Sequence, residues 1–132
     1  MTVNLPAVPQ RLRATLDDGR PVAWREPLTI ATYGALVGTA LKAADELAAE
    51  GTQIEVVDLR TLAPLDQETV VASVRRTGRL VVAHEASQSG GIGGELAARV
   101  QRDAFFELEA PVLRVTGYDT PYPASRLEED WL

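Results

Sequence analysis

The stretch TQIEVVDLRTLAPLDQETVVASVRRTGRLVVAHEA, Thr52 to Ala86, decides the fold. Two apolar runs, residues 54–57 and 80–83, flank a short helical pattern. Each run ends in chemically loaded residues: Asp58 and Arg60 after the first, His84 and Glu85 after the second. In open α/β sheets the carboxyl ends of strands are where ligands and partner groups meet. The helix between the runs is bounded at both ends. Asp66 is the expected N-cap, Glu68 sits favourably in the first turn, and Gly78 follows Thr77 as a stop.

Outward from this segment the same alternation continues. Residues 28–33 read as a strand ended by Gly34. Residues 35–50 read as a helix, because Leu36, Val37, Ala40, Leu41, Ala44, Leu47 and Ala48 recur at helical spacing. Residues 79–84 form the third strand, 87–94 a glycine-rich loop, and 92–107 a helix with Leu96, Val100 and Ala104 along one side. Residues 111–116 are the last clear strand. Strand and helix in strict alternation predict an α/β fold: a parallel sheet with helices on both faces. Near-continuous apolar strands agree with a sheet covered twice. Right-handed crossovers then gather Tyr33-Gly34, Asp58-Arg60, His84-Glu85 and the residues from Thr116 to Asp119 at one sheet edge.

Residues 1–27 are different. Pro6, Pro9, Pro21 and Pro27 interrupt regular structure, and Asp18-Gly19 is a hairpin-turn signal. This arm is expected to contribute one short edge strand. The main domain is expected at 28–132.

Composition narrows the function classes. The chain has 132 residues, 45% hydrophobic and 24% charged, with a formal charge of −6. That length favours one domain. The negative charge argues against non-specific nucleic-acid binding, which needs basic surface to displace counterions. It suits a basic protein partner. With no cysteine, disulfides, zinc–thiolate sites and thiol catalysis are excluded. No apolar run approaches the ~18 residues of a membrane span, and residues 1–10 lack the pattern of a secretory signal. A cytoplasmic location is expected.

His84 is the single histidine, so near-neutral acid–base chemistry must start there. Its neighbour Glu85 points to the opposite face while the strand persists. The competing reading is a hydrogen-bonded histidine that shapes a loop. No second histidine or acidic cluster supports a metal site. Residues 89–94, SGGIGG, lie between a strand and a helix, where backbone N–H groups can meet a phosphate. They match neither G-x-G-x-x-G nor a P-loop, so close backbone packing is the favoured reading.

Asp58 and Arg60 are read as a candidate charged pair at that edge, against a default reading of structural ion pairs with Asp66 or Glu85. Ser73, Ser87, Ser89 and Ser125 lie in no nucleophile-elbow context. Glu107, Glu109, Asp119, Glu128, Glu129 and Asp130 make the last quarter acidic. A solvated surface competes there with a docking patch for a basic partner, in which Tyr118, Tyr122 and Trp131 would be the anchors.

Five pieces carry a family resemblance: Thr32-Tyr33-Gly34; EVVDLRTLAPLD from Glu55 to Asp66; SVRRTG from Ser73 to Gly78; His84-Glu85-Ala86 with the glycines after it; and APVLRVTGYDTPYP from Ala110 to Pro123. Together they resemble the C-terminal domain of the transketolase superfamily, in particular that of the β subunit of the E1 component of 2-oxo acid dehydrogenase complexes. His84-Glu85-Ala86 and Gly117-Tyr118-Asp119-Thr120-Pro121 lean toward branched-chain over pyruvate enzymes.

The resemblance implies a three-layer α/β/α domain with a mostly parallel five-stranded sheet and one antiparallel edge strand, the latter from the residues before Leu28. It implies a domain that is not catalytic alone. In the family, thiamine diphosphate and Mg2+ sit between the E1 α subunit and a pyrimidine-binding domain of the β subunit. The C-terminal domain builds the dimer interface and docks the subunit-binding domain of the E2 acyltransferase. Glu109 matches a residue contacting basic side chains of E2, and Asp119 and Tyr118 are carried as further partner-binding residues. His84 and Glu85 match an interface-facing loop. The pyrimidine-binding domain is not expected within this chain, which reads as an excised domain or a small separate subunit. The isolated chain is expected to bind no cofactor and to be inactive.

Two alternatives stay open. One is the terminal domain of another transketolase-like enzyme, a 2-oxo acid ferredoxin oxidoreductase or deoxyxylulose-phosphate synthase. The other is a stand-alone doubly wound binding or signalling module. A receiver domain would need acidic residues after the first strand for Mg2+, where this chain has Tyr33-Gly34.

Overall fold

The computed structural model describes residues 27–121. Strand β1 (Leu28–Thr32), helix α1 (Leu36–Ala49), β2 (Ile54–Asp58), α2 (Gln67–Thr77), β3 (Leu80–Ser87), α3 (Ile92–Asp103) and β4 (Leu113–Gly117) follow one another. The strands form one parallel sheet in the order β2-β1-β3-β4. Ile30 in the centre pairs with Val56 on one side and Val81 on the other.

Side-chain alternation divides the core between two faces. Ala31, Leu80 and Val82 meet Val70 and Val74 of α2 and Leu96 and Val100 of α3. Leu28, Ile30, Val81 and Ala83 lie on the other face with Ala40 of α1. Helices therefore cover both faces, the α/β arrangement that the strand–helix alternation predicts. One polar chain crosses the α2 interface: Thr29 Oγ1 lies 2.7 Å from both Ser73 Oγ and Thr77 Oγ1. These hydroxyls satisfy one another where water is excluded.

Helix α2 forms as its ends dictate. The Asp66 carboxylate accepts from the Thr69 N–H at 3.1 Å. Glu68 occupies the first turn, Arg75 and Arg76 the last, each sign suiting the helix dipole. Gly78 closes it at φ 70°, its N–H donating to Val74 O at 2.7 Å.

Two boundaries differ from the sequence reading. Helix α3 stops at Asp103 instead of 107. Ala104 leaves helical geometry at φ −139°, and the N–H groups of Glu107 and Leu108 both turn back to Ala104 O at 3.2 Å. Past Ala104 the buried stripe ends, since Phe105 and Phe106 face solvent. Strand β3 runs on through Ser87, because a shift in its pairing with β4 after Ala83 lets Ser87 pair with Gly117.

The described strands are four and all parallel. The expected antiparallel fifth strand falls on residues 1–27, which apart from Pro27 lie outside the described residues. So do Tyr122, Ser125, Glu128, Glu129, Asp130 and Trp131.

Candidate functional site

Because β2 and β3 lie on opposite sides of β1, the chain reverses its direction across the sheet between β1 and β3. The carboxyl ends of those two strands flank the crevice where doubly wound folds bind ligands. Here the crevice is filled from within. Tyr33, one residue past β1, stacks on His84 of β3 with ring centroids 6.2 Å apart and planes 24° apart.

His84 is 1% exposed. Its Nδ1 lies 3.0 Å from Ala86 O, and its Nε2 accepts from the Gly93 N–H at 3.1 Å. Since Nε2 accepts, Nδ1 carries the proton and donates to the carbonyl. Burial holds the imidazole below the usual histidine value, and the Arg114 guanidinium adds to the effect. A neutral ring bonded at both nitrogens to backbone is a structural bridge from β3 to the first turn of α3. The geometry matches the loop-shaping reading of His84.

That bridge accounts for two of the glycines, Gly91 and Gly93. A Cβ on Gly91 would stand 2.7 Å from His84 Cε1, and one on Gly93 would stand 2.9 Å from Cδ2. The ring approaches the backbone too closely for any side chain there. The first-turn amide that would suit a phosphate is instead bonded to the imidazole.

Glu85 lies on the opposite face and is exposed. Burial raises the Tyr33 phenol, and the Glu85 charge raises it further. Asp58 pairs with Arg60 at 2.5 Å on the rim, so these two meet each other and not Asp66 or Glu85; Asp66 is engaged by Thr69. Among the described residues no three histidine, cysteine or carboxylate side chains cluster as a metal site, and no helix is long and apolar enough to cross a membrane.

The three residues expected to bind partners do not come together. Asp119 follows β4 at the carboxyl edge. Its carboxylate accepts from the Ser89 N–H at 2.8 Å and pairs with Ser89 Oγ at 2.7 Å. Those bonds lower its pKa and tie the glycine loop to the chain after β4. Arg114 reinforces the tie by donating to Gln88 O at 3.1 Å. Tyr118 beside it is 60% exposed.

Glu109 is at the opposite, amino edge. Its carboxylate lies 2.8 Å from the Arg79 guanidinium, yet its side chain is 61% exposed. Next to it runs a groove of about 630 Å³ lined by Ala97, Phe105, Phe106, Leu108, Pro111 and Val112. Phe105 and Phe106 stand edge to face, centroids 5.3 Å apart, and are 56% and 95% exposed. They are the chain's two phenylalanines. The sequence reading missed them; the signal was their place just off the Leu96-Val100-Ala104 stripe.

The comparisons agree with this architecture. Residues 18–132 match the family model described as transketolase, C-terminal domain. The chain is similar to the 3-methyl-2-oxobutanoate dehydrogenase subunit beta of Mycobacterium tuberculosis, 56% identical over 106 residues, covering 80% of this chain and 30% of that protein. It is 48% identical over 120 residues to the pyruvate dehydrogenase E1 component subunit beta of Bacillus subtilis, covering 89% of this chain and 37% of that one. Among solved structures it resembles one titled split gene transketolase, inactive beta4 tetramer. The TM-score is 0.63 at 36% identity, over 81% of this chain and 34% of that one. The chain spans about a third of the length of these relatives. On sequence and on architecture alike, it belongs to the transketolase C-terminal domain family.

Proposed function

We propose that this chain is the assembly and partner-docking domain of a thiamine-diphosphate-dependent 2-oxo acid dehydrogenase E1 β subunit, acting in the cytoplasm. The parent reaction is oxidative decarboxylation of a 2-oxo acid with acyl transfer to lipoyl-E2. Residues 28–132 are the domain and 1–27 an arm. The names of its relatives support the parent enzyme. The observation that carries the docking role is the aromatic groove ending at Glu109. Exposed phenylalanines beside a half-free carboxylate suit a partner that presents basic and apolar side chains together.

The crevice at the strand reversal does not suit thiamine diphosphate and Mg2+. Tyr33 and His84 fill the crevice at the strand reversal, and the α3 amide that faces it is bonded to His84. In this reading the cofactor is held by the E1 α subunit and a pyrimidine-binding domain, which supply the chemistry. This domain's own residues make surfaces: Glu109 and the groove for E2, and the carboxyl edge with Glu85, Tyr118 and the Ser89–Asp119 clasp for a second β copy.

The alternative is the terminal domain of another transketolase-like enzyme, which the split-gene transketolase likeness favours. Binding to an E2 subunit-binding domain, followed by titration calorimetry, decides between them. Glu109→Lys is expected to weaken that binding by about tenfold or more and Phe106→Ala by severalfold. Unchanged affinity in both variants overturns the docking assignment. Unaided turnover of a 2-oxo acid by this chain overturns the non-catalytic one, and a strictly monomeric sedimentation profile at high concentration removes the homodimer.

A further inference from the structure

We propose that the hydrogen bond from Gly93 to His84 is a proton-operated latch, which holds the glycine loop and the first turn of α3 closed over the crevice between β1 and β3. The proposal stands on geometry apart from any docking role. His84 is 1% exposed, and its two nitrogens join two segments: Nδ1 reaches Ala86 O further along β3, and Nε2 receives the Gly93 N–H of α3. Gly91 and Gly93 lie against the ring so closely that neither could carry a side chain. Asp119 and Arg114 hold the start of the loop at Ser89 and Gln88; the first turn of α3, whose N-cap Gly91 makes no side-chain cap bond, is held at Gly93 by His84.

Protonation breaks this arrangement at one atom. An imidazolium has N–H at both nitrogens and no lone pair. Nε2–H would then face Gly93 N–H, donor against donor, at the positive end of the α3 dipole. Nδ1–H stays a donor to Ala86 O in either charge state. Either the ring must swing out or the loop must lift, and both expose the crevice.

The surrounding groups oppose rescue. From β1, Tyr33 stacks on the ring and carries no charge near neutrality, its phenol being raised by burial. From β4, Arg114 repels an imidazolium. On β3, Glu85 points to the other face. Asp119 is held by Ser89. From α3, the ring meets the Gly93 amide, and Glu95 in the first turn is paired to Arg99 at 2.6 Å.

The sign follows. Burial, chiefly, depresses the folded-state value of His84, and the Ala86 carbonyl pulls only partly against it. A base with a depressed folded value contributes stability that is full above the unfolded value of about 6.5. That contribution falls away as pH drops through the lower folded value.

Because His84 is the single histidine, its ring nitrogens can be followed by NMR in the full chain without assignment ambiguity. Titration from pH 8 to pH 4 is expected to show the neutral Nδ1–H tautomer at pH 7 and a midpoint below about 6.5. The Gly91 and Gly93 amide shifts should move with that midpoint. Exchange protection at Gly93, corrected for intrinsic rates, should drop by about tenfold or more between pH 7 and pH 5 while the Val74 and Val82 amides stay protected. His84→Gln, which accepts but does not titrate, should abolish the pH response. Three results overturn the latch. They are a midpoint at or above the unfolded value, a Gly93 amide indifferent to ring protonation, and loss of the bond only in global unfolding. Retention of the pH response in a folded His84→Gln chain also overturns it; if that variant fails to fold, the titration of the unaltered chain decides.

Discussion

Glu109 lies across Gly78. Its N–H donates to Gly78 O at 2.8 Å, and its Cδ stands 2.8 Å from where a Cβ on Gly78 would be. The turn that ends α2 and the segment that leads into β4 are thereby joined, and the joint holds the Glu109 carboxylate beside Arg79. A residue expected from the sequence to serve a partner also packs against its own chain.

Gly78→Ala tests that joint. At φ +70° a side chain is strained by roughly 1–2 kcal/mol, and Glu109 must also be displaced. Urea denaturation should show a lower midpoint with an unchanged slope. An unaltered midpoint would mean that neither the left-handed backbone nor the contact with Glu109 constrains this position.

Gly93→Ala reverses a familiar rule. Inside an exposed helix this change stabilises by about 0.5–1 kcal/mol. Gly93 is buried in the first turn of α3, and a methyl there meets His84 and Val82. Overpacking should destabilise by about 1–3 kcal/mol. Thermal unfolding of the single variant beside a Gly38→Ala control, where open space surrounds the glycine, reads the contrast in sign.

Thr29→Val removes the shared partner of Ser73 and Thr77. Both hydroxyls are buried. Losing the central oxygen should destabilise the fold by about 1–3 kcal/mol. The double variant Thr29→Val with Ser73→Ala should lose less than the sum of the two single variants, because the Thr29–Ser73 bond is removed only once. Additive losses in a double-mutant cycle would refute the coupling.

Asp66→Ala removes the α2 cap. The Thr69 hydroxyl and N–H lower the pKa of Asp66, so the folded state favours the carboxylate. Its contribution is present above the ordinary aspartate value of about 3.9 and is lost as pH falls through the lower folded value. The variant should melt a few degrees lower at pH 7 and match the parent chain at pH 2. A difference that persists in acid would assign the effect to packing instead.

Much of the fold was legible because its signals are local. The N-cap at Asp66, the stop at Gly78 and the apolar strands each act within a few residues, and α2 falls at residues 67–77 as they indicate. The end of α3 was not legible, because Phe105 and Phe106 look like core residues in any window. Only the end of the buried stripe at Ala104 sends them outward. The histidine and glycines were visible as candidates, but their relation was not.

The order of strands and helices, the lack of thiol chemistry and the family wording were settled by the amino-acid sequence alone, since periodicity and composition need no distant contact. Tertiary structure decided the rest. It turned His84 inward onto Gly93, set Asp119 on Ser89, and put Glu109 at the opposite edge of the sheet from Tyr118. Each of these depends on which strand lies beside which, and the pairing of β1 with β3 across 50 residues of chain is invisible to local pattern. The burial that makes His84 a neutral bridge is a property of that pairing, not of the residues next to it in sequence.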